Sequence, residues 1–146
     1  MSDAAAQAEL HGVIATLDCF DEAEDVTLGD WSVLDRPVAC APYAIIRRSQ
    51  RIATSKGSLR GFRITWQVPV ILVVAFDSWD QAESDLADLR QQVLDLLLVQ
   101  SPRIGVFAVE SITDSGDFAG LYLDGDSGPY PVYLSQELSV TVSELV

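Results

Sequence analysis

"YAIIRRSQRIATSKGSLRGFRITWQVPVILVVAF", residues 43–76, is the stretch on which the fold turns. Two runs rich in β-branched and aromatic residues, 43–54 and 59–76, flank "SKGS". That pattern predicts a long β-hairpin, about 43–76, with its turn centred on Lys56-Gly57 and Gly57 taking the left-handed position. In this register Arg51 faces Phe62, Ala53 faces Arg60 and Arg47 faces Trp66. The period of two places Ile64, Trp66, Val68, Val70, Leu72, Val74 and Phe76 on one face of the second strand. The near half of the hairpin is then core, and the far half projects as a basic, flexible tip. Pro69 cannot donate to a ladder, which predicts an edge position or a bulge there.

Charge is segregated along the chain. Of nine Lys and Arg, six fall between 47 and 63: Arg47, Arg48, Arg51, Lys56, Arg60 and Arg63. No carboxylate occurs between Asp35 and Asp77, while the first 35 residues hold nine carboxylates and no cation. A hairpin of this composition cannot neutralise itself. Its partner must lie elsewhere, on this chain or on another, and these six cations are the candidate interface residues.

Outside the hairpin, 3–20 carries Ala6, Leu10, Val13, Ile14 and Leu17 at helical spacing, with Ser2 as the expected N-cap. Residues 18–35 read as a loop-rich acidic segment. A second helix is expected over 78–102. Ser78 and Gln81 there form a capping-box pattern, Ala82, Leu86, Leu89, Val93, Leu96 and Leu97 form a stripe, and Pro102 ends it. Three strands follow, 104–112, 118–124 and 130–145, parted by "TDSGD" and "GDSGP" turns. In the last, Val132, Leu134, Leu138, Val140 and Val142 alternate with polar residues, so one face is expected to be buried and the other wet. The order implies a single α+β domain over 1–146: a mostly antiparallel sheet with a long hairpin and two main helices packed on it.

Composition sets further bounds. A chain of 146 residues with 49% hydrophobic content can bury one core. Its longest apolar run, 68–76, is too short for a membrane span, and the acidic start does not read as a signal peptide. A soluble intracellular protein is expected. A net charge of −13 opposes general nucleic-acid binding, because phosphate contacts need cations. Cys19 and Cys40 match no metal spacing and are expected to be small buried apolar groups. His11 has no ligand cluster beside it, "DGDSG" lacks the bidentate Glu of a calcium loop, and no phosphate-binding or zinc-protease motif is present. Acidic pairs such as Asp85 and Asp88 read as a solvated helix face. These readings point away from an enzyme, a metal site and a cofactor.

The unit "RGFRITWQVPVILVVAFDSWDQAESDLADLRQQVLDLL" (60–97) runs a basic strand into an apolar strand and then an amphipathic helix, with a helix before it and "PVYLSQELSVTVSEL" closing the chain. In element order, length and hydropathy this resembles the tail terminator (tail completion) proteins of long-tailed bacteriophages. The resemblance implies a homo-hexameric ring that caps the head-proximal end of a tail tube, ends tube polymerisation and forms the head-docking surface. Implied partners are further copies of the chain, the tail tube protein and a head-completion or connector protein. Genome DNA is implied to pass through the ring without specific binding, and the implied location is the virion neck, after assembly in the host cytoplasm. No cofactor and no membrane are implied. In a ring, a basic hairpin on one subunit and acidic segments on the next would complement each other at every interface. Two other readings remain open: an adaptor or immunity-type module for one protein partner, and a nucleic-acid-binding module using 47–63, where only Phe62 and Trp66 interleave with the cations.

Overall fold

The computed structural model describes residues 3–20, 23–29, 41–58, 61–122 and 130–145. Its longest element is the apolar run after the basic stretch, strand β4 (Gly61–Ala75). Before it come helix α1 (Asp3–Ile14), a 3-10 turn (Ala23–Asp25), β1 (Val26–Leu28), β2 (Tyr43–Ile46) and β3 (Gln50–Ser58). After it come helix α2 (Trp79–Asp95), a π-helical turn (Leu96–Gln100), β5 (Arg103–Ile104), β6 (Phe107–Asp114), β7 (Ala119–Leu121) and β8 (Tyr133–Leu145). The architecture is α+β, as expected, with a mostly antiparallel sheet and two helices.

β4 and β8 form the spine, antiparallel from Arg63↔Leu145 to Ala75↔Tyr133. The sheet order is β1-β2-β4-β8-β6-β5; β3 also pairs with β4, and β7 also with β8. Among the described residues only β1 and β2 pair in parallel, and β1 arises within the segment read as acidic loop.

Both helices bury their stripes on one face of the sheet. Ala6, Leu10 and Ile14 of α1 join Ala82, Leu86, Leu89 and Val93 of α2 in a core with Trp66, Val68, Val70, Leu72, Val74, Leu134, Leu138, Val140 and Val142. Each fully buried aliphatic side chain contributes roughly 1.5–3 kcal/mol, so this one cluster carries most of the fold. A second, smaller cluster of Tyr43, Ile45, Ile71, Val73 and Tyr133 lies on the other face. The polar face expected for the last strand is therefore dry at its beginning, where Tyr133 and Ser135 are buried.

Several boundaries differ from expectation. The first hairpin arm is two strands, β2 and β3, both paired with β4 and interrupted at 47–49. Arg47 N donates to the Pro69 carbonyl at 2.8 Å, so that carbonyl and the missing Pro69 donor face the interruption. β4 is not an edge strand there, but three residues of the arm, 47–49, stand opposite Val68 and Pro69, so the ladder carries one extra residue at the proline, the bulge-like irregularity expected. The register is also shifted: Arg51 pairs with Trp66, Lys56 with Phe62 and Ser58 with Gly61. The expected turn at Lys56-Gly57 therefore does not form: both residues belong to β3, and the ladder runs on to Ser58↔Gly61. Register shifts between Arg51 and Ala53 and between Lys56 and Ser58 leave Ile52 and Gly57 as the extra, bulged residues. Ile52 is turned to solvent as a result.

α1 stops at Ile14, short of the expected 20. Thr16 Oγ1 donates to the Val13 carbonyl, and Leu17 N bonds Ile14 O, so the chain tightens into turns. In α2, Ser78 Oγ accepts from Gln81 N at 3.2 Å, but the Gln81 side chain bonds Asp85 instead of returning to Ser78. Half of the capping box forms. The expected strand 104–112 is split by a tight turn at Gly105, whose φ of +61° is the left-handed value a two-residue hairpin needs. Ser2 and the "GDSGP" turn lie outside the described residues.

Candidate interaction surface

β3 pairs with β4 on one side only, so among the described residues its other side is an open edge of nine residues. Such an edge presents unpaired N–H and C=O groups and invites another strand unless charge or a partner covers it. Exposed Arg51 and Lys56 lie on this edge.

The six candidate cations are not one cluster. Arg47 and Arg48 sit at the β2–β3 interruption, where β1 lies alongside, and they line a groove with Gln7, Leu28 and Gly29. Arg48 also borders a second groove with Ser49, Gln50, Arg51 and Trp66. Arg51 lies over Trp66, its guanidinium carbon 5.2 Å from the ring centroid. Trp66 itself is 4% exposed, and its indole N–H donates to the buried Glu144 at 3.2 Å. Lys56 lies near the tip, opposite Phe62. Arg60 is outside the described residues.

Arg63 points the other way and meets Glu110 of β6 at 3.8 Å. The register of β6 against β8 slips between Val109 and Ser111, which leaves Glu110 as the bulged residue. That bulge aims its carboxylate at Arg63 and at the Ser143 hydroxyl, which donates to it. Arg63 thus finds its partner within the chain. Neither Arg47 nor Lys56 makes an ion pair with a described residue. The hairpin projects less than expected, because β8 accompanies β4 as far as Arg63. Only the tip beyond it lacks that support.

The acidic segment does not present all its carboxylates to a partner. Asp25 is 1% exposed, while Asp18 and Glu24 face solvent. Asp21, Glu22, Asp30 and Asp35 lie outside the described residues.

A second surface was not foreseen. At the far end of β4, Phe76 packs edge-on against Trp79 (centroids 4.9 Å apart) and stacks on Tyr130 (6.5 Å). With Asp77, Ser78 and Pro131 they line a groove of about 570 Å³. Trp79 and Tyr130 are 47% and 62% exposed. The one sequence signal was the Phe76–Trp79 spacing at the strand–helix junction; Tyr130 is distant in sequence and is brought in by β8.

His11 bonds the Val26 carbonyl through Nε2 at 2.8 Å, so that nitrogen carries the proton and pins α1 to β1. Cys19 is half-buried against the core, and Cys40 lies outside the described residues. Among the described residues no group of three His, Cys, Asp or Glu could hold a metal ion, and no helix is long and apolar enough to cross a membrane. No protein-family model matches the chain, and no curated protein matches it significantly.

Proposed function

We propose that this chain is a structural ring subunit of the tail-terminator type, closing the head-proximal end of a phage-type tail tube and presenting the head-docking surface. The observation that carries the reading is the open, basic edge of β3. The nine-residue edge, open among the described residues, offers backbone groups to a partner, and its cations, with no carboxylate beside them, select for an acidic one. It is suited to meet acidic surface on another protein copy. The α+β layout, a sheet with helices packed on it, is the one the resemblance implies.

The test is tube assembly. Added to polymerising tube subunits, the protein should stop elongation and localise at one end of each tube. Tubes that grow to the same length distribution with and without it would exclude the capping role.

The open β3 edge also suits a single-partner adaptor, which would add one strand from its target and stop there. The nucleic-acid reading is weaker. Trp66 is sealed under Arg51, which leaves Phe62 as the one exposed ring among the cations of the pair.

A further inference from the structure

The two exposed ends of β4 are chemically opposite. At one end lies the tip, where Lys56 stands across from Phe62, itself 60% exposed. At the other lies the groove of Phe76, Asp77, Trp79 and Tyr130. No carboxylate occurs from 36 to 76, and no cation from 64 to 89. Asp80 and Glu83 add exposed negative charge on the first turns of α2 beside the groove.

We infer that the groove is the receptor for the β3–β4 tip of a second copy of this chain. Phe62 enters between Trp79 and Tyr130, and Lys56 lies against Asp77. Exposed aromatic rings around one acidic residue suit an aromatic plus a cation: rings pair with Phe62 edge-on or offset, and their faces attract Lys56. The tip and the groove cannot meet within one chain, because fourteen steps of β4 at about 3.3 Å each keep them roughly 45 Å apart along the strand. When the same two copies do not exchange it reciprocally, a contact joining the opposite ends of one strand is head-to-tail, and identical repetition closes it into a ring or extends it as a filament. The inference rests on the ring reading and supplies its subunit contact.

The experiment uses two full-length variants, both checked for unchanged thermal melting. Lys56→Glu with Phe62→Asp disables the tip and keeps the groove. Trp79→Ala with Tyr130→Ala disables the groove and keeps the tip. Association is read by sedimentation velocity and native mass spectrometry. Each variant alone should associate at least tenfold more weakly than wild type. Mixed in equal amounts, they should form heterodimers and no larger species, since one intact tip and one intact groove remain. Variants that each assemble like wild type overturn the contact and leave the ring reading standing. Folded variants that form no heterodimer also overturn it. A wild-type protein that stays monomeric both alone and on tubes overturns the ring reading and the contact together.

Discussion

The Arg51 guanidinium lies 5.2 Å above the Trp66 ring and roofs an aromatic side chain that would otherwise open onto the β2–β3 interruption. A cation of the basic stretch is thus committed to the fold. Arg51→Ala should therefore lower stability by about 1 kcal/mol in a denaturant titration, the scale of a partly desolvated cation–π pair plus lost stem packing. Arg47→Ala should stay within about 0.5 kcal/mol of wild type, as surface changes do. Equal losses at the two sites would mean Arg51 does not cover Trp66.

Below the ring, Trp66 donates its indole N–H to Glu144, which is 3% exposed. Trp66→Phe removes that donor from a buried carboxylate and should cost about 1–3 kcal/mol beyond the packing change. Adding Glu144→Leu should recover part of the loss, because an unsatisfied buried polar group costs more than an apolar replacement. Purely additive effects in the double-mutant cycle would rule the pairing out.

Leu89 is 3% exposed at the centre of the α2 stripe. Leu89→Ala should cost roughly 2–5 kcal/mol, and a loss under about 1 kcal/mol would contradict the helix-on-sheet packing. Ser78→Ala should cost about 1 kcal/mol through the lost bond to Gln81 N.

Much of this is legible in the sequence. The period of two from Ile64 to Val74 and the 3.6-residue stripe of α2 each encode one buried face, and both faces lie where the pattern puts them. What was not legible was pairing. Gly57 looks like a turn residue but is bulged within β3, because backbone register is fixed by the whole β3–β4–β8 ladder rather than by one glycine. The bulge at Glu110 and the arrival of Tyr130 beside Phe76 are tertiary facts, and no local signal announces them. The basic stretch was legible as composition only. Its division into Arg51 over Trp66, Arg63 against Glu110, and Arg47 and Lys56 without an ion pair among the described residues needed the folded sheet.

Those last two residues give a clean separation of fold from assembly. Arg47→Glu with Lys56→Glu should leave the melting temperature within a few degrees of wild type, while weakening self-association severalfold. Raising salt should weaken wild-type association, because screening shortens to about 3 Å near 1 M. DNA binding near 0.15 M ionic strength should be no tighter than about 10⁻⁴ M, the weak end of non-specific binding. Micromolar DNA binding that disappears in the double variant, with assembly intact, would assign the stretch to nucleic acid instead.

The most direct measurement of the central claim is the stoichiometry and symmetry of the protein in its assembled state, by native mass spectrometry and class-averaged electron microscopy of capped tubes or particle necks. Six copies in a closed ring at one tube end is the predicted result; a single copy, or a population that never closes, would contradict it.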